Sequence, residues 1–168
     1  MIKDTILEIS NNFIKLANQS TSDIKMAIDL MIKTLEKDNK IIFCGNGGSA
    51  ADSQHLAAEL IGRYRLNRKP IRAVSLTTDT STITAIANDF SFNDIFSRQV
   101  QSLGYKDDIL YATSTSGNSN NILEAIKQAK KQEIKIIGLT GDKPSLMDNE
   151  CDILIKAPAI TPDRIQEM

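Results

Sequence analysis

Residues 40–64 read KIIFCGNGGSAADSQHLAAELIGRY. The stretch opens on a short apolar run, Ile41-Ile42-Phe43-Cys44, then sets three glycines within four positions, Gly45, Gly47 and Gly48. From Ser49 onward the spacing of the apolar residues becomes helical. That order specifies a strand, a tight turn and a helix. The same alternation continues along the chain, with further apolar runs at IRAVSL (71–76), DILYAT (108–113), IKIIGLT (134–140) and DILIKA (152–157). Continuous β-branched runs separated by helical stretches suit a parallel sheet buried on both faces. Connections of this length require right-handed βαβ crossovers. The expected fold is therefore α/β, a three-layer α/β/α sandwich around a five-stranded parallel sheet. Ligands bind such sheets beyond the carboxyl ends of the strands, where the strand order reverses. The loops that follow the strands are the place to look for chemistry.

Two helices are expected ahead of the sandwich, over residues 1–38. Ile6, Ile9, Phe13 and Leu16 recur at helical spacing, and Ile24, Ala27, Ile28, Met31, Ile32 and Leu35 do so after the start at Ser20-Thr21-Ser22-Asp23. These helices are expected to pack on the domain and to serve an oligomer interface. No repeat, low-complexity tract or Pro/Gly-rich linker interrupts the chain, so residues 1–168 form one expected domain.

A chain of 168 residues buries roughly 70% of its unfolded surface and needs no disulfide or metal for stability. Its 20 basic and 21 acidic residues leave a net charge of −1 without a basic stripe, which argues against nucleic-acid binding. Trp is absent and aromatic residues are 5%, so stacking platforms for single strands are not expected either. No apolar run approaches a membrane span, and the first residues lack the apolar core of a signal peptide. Cys44 and Cys151 flank predicted strands and read as reduced, buried thiols of a cytoplasmic protein.

Two loops and one helix carry the candidate chemistry. The glycines after the first strand let the backbone approach a ligand, and Ser49 can cap the helix that follows. The loop is neither GxGxxG nor a Walker sequence, and a plain tight turn explains it equally well. After the third strand, Thr113-Ser114-Thr115-Ser116-Gly117-Asn118-Ser119 brings a cluster of hydroxyls to a helix start without an acidic side chain. A cap needs one hydroxyl, so the cluster points to a phosphate dianion. On the helix from Ser49, His55 and Glu59 are spaced i, i+4 and share a face. They are either a solvated pair or a metal or acid/base pair beside the ligand.

Four motifs, CGNGGSAADSQHLAAELIGRY (44–64), AIANDFSFNDIFSRQV (85–100), STSGNSNNI (114–122) and DRIQEM (163–168), resemble the phosphoheptose isomerases of the sugar-isomerase (SIS) domain superfamily, whose fold is flavodoxin-like. The resemblance runs from about Lys40 to Met168, with the N-terminal helices in matching places. It implies that Asn46, Gly47, Gly48, Asn88, Asp89, Ser114, Thr115, Ser116, Ser119 and Gln166 bind substrate. It implies Glu59 as catalytic base and substrate contact, and one Zn²⁺ per subunit held by His55, Glu59 and Gln166. Partial burial of Glu59 against Leu56 and Ile61 is expected to tune it for proton transfer. The family also carries a second catalytic histidine eight residues beyond the glutamine. This sequence reaches Met168, two residues past Gln166, so a C-terminal helix is expected to be missing from it.

The implied reaction interconverts a 7-phosphoketose and a 7-phosphoaldose, sedoheptulose 7-phosphate and D-glycero-D-manno-heptose 7-phosphate, through a cis-enediol. That is an early step toward ADP- or GDP-heptose for lipopolysaccharide core or surface polysaccharide. The resemblance further implies a cytoplasmic homotetramer, with Arg63-Tyr64-Arg65 reaching a neighbouring site. One rival is a non-enzymatic SIS adaptor of the replication initiator DnaA, which lacks a carboxylate at the position of Glu59. Another is a pentose- or hexose-phosphate isomerase, which lacks the GNGGSAAD and RIQEM wording.

Overall fold

The computed structural model describes residues 1–168. Two helices, α1 (Ile2–Gln19) and α2 (Thr21–Glu36), precede five strands: β1 (Ile41–Cys44), β2 (Ala73–Ser75), β3 (Ile109–Thr113), β4 (Lys135–Gly141) and β5 (Ile153–Ala157). Between the strands run α3 (Gly48–Ile61), α4 (Thr80–Asp89), α5 (Ser97–Leu103) and α6 (Asn120–Lys131), and a last short helix, α7 (Pro162–Gln166), follows β5. All neighbouring strands are parallel, in the order β2-β1-β3-β4-β5. From β1 the chain first steps outward to β2 and then returns to build β3, β4 and β5 on the other side. The order therefore reverses between β1 and β3, and the loops after those two strands lie side by side at the switch point.

The pleat explains why both faces are apolar. Ile41 and Phe43 point to one side with Ile109, Ile137 and Ile153, where Ala27 of α2 and Ala57 of α3 complete the layer. Ile42 and Cys44 point to the other with Leu110, Ala112 and Ile136, against Val100 of α5 and Ile122, Ile126 and Ala129 of α6. Each such fully buried aliphatic side chain contributes about 1.5–3 kcal/mol. The edge strand β2 is shorter than the apolar run around it, because it has a partner only in β1.

The N-terminal helices form as expected, but their apolar faces are only partly covered. In α1 it is Ile9, Asn12 and Leu16 that turn inward, while Ile6 and Phe13 remain 60% and 45% exposed. In α2, Ala27, Met31 and Leu35 pack on the sheet, and Ile28 and Ile32 face out. Ser20 stands before α2 without capping it; its hydroxyl donates to the Lys156 carbonyl at 3.0 Å and ties the helix junction to β5. The two cysteines are free: Cys44 is fully buried and Cys151 only partly. Burial pushes both thiols up to about 12, which keeps them protonated and unreactive.

Candidate active site

The first loop leaves β1 at Gly45 and enters α3 through Gly47, the residue ahead of the helix, which takes φ +55°. That conformation suits glycine and little else. Ser49 was the expected cap, but α3 starts two residues earlier than that reading, with Gly47 at the cap position. Ser49 instead lies within the first turn, 3% exposed, and its Oγ donates to Gln166 Oε1 at 2.9 Å. The amide of Gln166 also donates to Asp52 Oδ2, one turn further along α3. A residue from the far end of the chain is thus fastened to the helix of the first loop.

The second loop gathers its hydroxyls as expected. Ser114 is 4% exposed, and its Oγ sits 3.0 Å from Ser119 Oγ and 3.4 Å from Ser116 Oγ. Ser119 precedes α6 but its side chain caps no helix amide, so the hydroxyl remains available to a ligand. Ser116 is occupied differently, accepting from the Asn118 N–H at 3.2 Å. Between the loops lies a polar hollow of about 320 Å³, lined by Asn46, Gly48, Ser49, Thr113, Ser114, Thr115 and Ser119, and closed by Pro162, Asp163 and Gln166 of α7.

Behind Ser49 and Gln166, which line both spaces, a second cavity of about 410 Å³ has an aliphatic floor that includes Leu16, Ile24, Leu139 and Ile155. Asp52, His55 and Tyr111 reach it from the polar side. Burial, reinforced by the negative charge of Asp52, pushes the Tyr111 phenol up to about 12 and keeps it protonated. Thr140, 2% exposed, also lines this cavity, and its hydroxyl has no hydrogen-bond partner.

His55 Nε2 stands 3.6 Å from Glu59 Oε1, so the i, i+4 reading of α3 is met in space. Glu59 is partly buried, its side chain 31% exposed, while Leu56 and Ile61, the neighbours expected to shield it, are themselves 37% and 48% exposed. No three His, Cys, Asp or Glu side chains cluster as a metal site. The donors present are one imidazole, one carboxylate and the Gln166 amide, and His55 and Gln166 line the same cavity. These are donor types that zinc accepts, but Gln166 Oε1 is engaged by Ser49 and only His55 and Gln166 share a cavity.

Asn88 and Asp89 do not join the hollow. They end α4 on the solvent side, both exposed, with Asn88 Nδ2 donating to Asp89 Oδ1 at 2.8 Å. Ser116 and Gly47 border the loops without lining the hollow, and Glu59 lines neither space. Residues outside the expected binding set do contribute: Ser49 and Asp52 through Gln166, Thr113 and Asp163 on the walls, and Asn121 through Asn46. The sequence offered a signal for Ser49 and Asp52, which sit on the Gly-loop helix. It offered none for their pairing with Gln166, more than a hundred residues away.

The SIS domain family matches residues 6–141 of this chain. The phosphoheptose isomerase of Helicobacter pylori strain P12 is 50% identical over 145 residues, covering 86% of this chain and 76% of that protein. That of Akkermansia muciniphila is 46% identical over 167 residues, 99% of this chain and 88% of that protein. The chain belongs to the phosphoheptose isomerases of the SIS domain family. The isomerase superposes on the phosphoheptose isomerase structure from Neisseria gonorrhoeae with a TM-score of 0.93 at 40% identity, over 99% of this chain and 89% of that one. On the Francisella tularensis structure the TM-score is 0.95 at 37% identity, with 99% and 88% covered. The likeness to enzymes along nearly the whole chain weighs against the adaptor reading.

Proposed function

We propose that this isomerase interconverts sedoheptulose 7-phosphate and D-glycero-D-manno-heptose 7-phosphate, an early step toward nucleotide-activated heptose. The observation that carries the reading is the polar hollow itself: a loop of clustered hydroxyls and a Gly-rich loop face each other, and α3 leads from that hollow to His55 and Glu59. Ser114, Thr115 and Ser119 would hold the phosphate with hydroxyl groups at the start of α6. Asn46, Gly48 and Gln166 would orient the sugar chain. Glu59 would take the C1 proton of the ketose, leaving a cis-enediol, and return a proton to C2, while a proton moves between the two oxygens. The step is neutral in electrons overall and needs no external oxidant.

His55, Glu59 and Gln166 are the residues that would hold a Zn²⁺ ion, which would polarise the carbonyl oxygen as a Lewis acid. Glu59 acting as base and Glu59 acting as ligand compete for one carboxylate, and we rank the base first. The active unit is proposed to be a cytoplasmic homotetramer with no nucleic-acid or membrane partner. Two free thiols suit a reducing compartment, and no helix is long and apolar enough to cross a membrane. The uncovered faces of α1 and α2 suit subunit contacts. Asn88, Asp89 and the Arg63-Tyr64-Arg65 segment, outside the hollow of their own chain, would then serve a neighbour.

The test is an NMR or coupled assay of the protein with sedoheptulose 7-phosphate, with and without added zinc. Conversion to the aldose phosphate is expected. No conversion under either condition, together with measurable binding to DnaA, would return the adaptor reading.

A further inference from the structure

The two loops of the hollow leave different strands and are 75 residues apart in sequence, yet one side-chain pair joins them directly. Asn46 Nδ2 donates to Asn121 Oδ1 at 2.9 Å, and Asn121 Nδ2 donates back to Asn46 Oδ1 at 2.8 Å. Asn121 lies in the first turn of α6 and is 3% exposed, whereas Asn46 is half-buried and lines the hollow. The reciprocal pair occupies the acceptor and one donor hydrogen of each amide. It leaves Asn46 with its second Nδ2 hydrogen free and its side chain fixed in direction.

The geometry points to Asn121 as a positioning residue, which locks the Asn46 amide and with it the Gly-rich loop against the helix that carries the hydroxyl loop. Asn121 does not line the hollow and so acts through Asn46. The role rests on the proposed reading that the hollow takes a phosphorylated sugar. The Asn121 amide both donates to Asn46 Oδ1 and accepts from Asn46 Nδ2. A carboxylate of the same shape accepts but cannot donate, and a methyl group does neither. Without the lock, the first loop would have to be ordered by the substrate at each binding event, a cost that appears in KM more than in kcat.

The experiment compares the wild-type chain, N121A, N121D, N46A and N46A/N121A. Loss of the paired hydrogen bonds in N121A should raise KM about tenfold, with kcat changed less. In the N46A background the second substitution should add almost nothing, because its only route to the substrate is already gone. N121D, isosteric and therefore usable if N121A folds poorly, should raise KM in the same direction. An unchanged KM in N121A, or an equal rise in both backgrounds, would overturn the inference. A second readout does not need turnover: hydrogen exchange over residues 45–48 should be faster in N121A than in wild type. Unchanged exchange there also overturns the inference, whereas an inactive wild type with faster exchange in N121A overturns only the proposed substrate.

Discussion

The imidazole of His55 and the carboxylate of Glu59 face each other across one turn of α3, with Nε2 3.6 Å from Oε1. The Glu59 side chain is the less exposed of the two, 31% against 72%. Replacing Glu59 by Gln keeps size and hydrogen-bonding capacity but removes the proton acceptor. Turnover of sedoheptulose 7-phosphate should fall by about 10²–10⁴-fold, while calorimetry still detects substrate binding. Turnover near the wild-type rate would remove Glu59 from the mechanism.

The hydroxyls of the second loop should not contribute equally. Ser119 lines the hollow and spends no hydrogen bond on capping α6, so Ser119→Ala should weaken phosphate binding by about 1–3 kcal/mol. Ser116 already accepts from Asn118 and borders the hollow without lining it, so Ser116→Ala should matter less. Titration with inorganic phosphate separates the two variants. A crystal grown in phosphate should show the anion between residues 114 and 119.

Gly117 holds φ +64° within that loop. An added Cβ would land against Ser145 Oγ and Cβ and 2.7 Å from Thr140 Oγ1. Gly117→Ala should therefore cost about 1–2 kcal/mol from backbone strain alone and displace the hydroxyl loop. A lower melting temperature together with weaker phosphate binding is the expected result.

Acid stability should centre on Asp108, at the end of the sheet away from the loops. Its carboxylate is 1% exposed and receives the Lys40 N–H at 2.9 Å, the Lys40 ammonium at 2.5 Å, the Tyr105 N–H at 2.8 Å and the Asn39 amide at 3.1 Å. Burial works to raise its pKa, but these donors outweigh it and hold the carboxyl below its ordinary value. A lowered native pKa means that the stabilisation is complete above the ordinary carboxylate value near 3.9 and is lost as pH falls from there through the lowered native value. Asp108→Asn should cost about 3 kcal/mol at neutral pH and flatten the loss of stability below pH ~4. Urea titrations of both proteins at pH 7 and at steps below pH ~4 would show it.

Light scattering at micromolar concentration should report four 18.5 kDa chains per particle. Ile6 and Phe13 lie on the uncovered side of α1. Replacing both by Glu should shift the particle toward smaller species, since charge would then be buried at the contact. An unchanged mass would move the interface elsewhere.

The sheet was legible because IIFC, DILYAT and IKIIGLT each combine β-branched composition with burial on both faces, and no competing period runs through them. The hydroxyl loop was legible for a related reason: five hydroxyls over residues 113–119 exceed what a helix start needs. What stayed hidden depends on contacts across the chain. That Asn121 would pair with Asn46 follows from β1 and β3 being neighbours, and that Ser49 would hold Gln166 instead of capping α3 depends on where α7 folds back after β5. The exposure of Ile6 and Ile28 shows a different limit, because a helical stripe says that something covers it and not whether the cover belongs to the same chain.

The wall that α7 adds to the hollow hangs from β5, an edge strand whose only partner is β4. The helix is five residues long and has no side-chain cap, and Gln166 ties it back to Ser49 and Asp52. The central β1–β3 pair, with both loops, does not depend on that tie. Fraying of this edge would take Gln166 away from the hollow while the central pair stays in place. Warming or mild denaturant should silence the enzyme while its circular dichroism still looks native, so that catalysis is a more sensitive thermometer of this molecule than its melting curve.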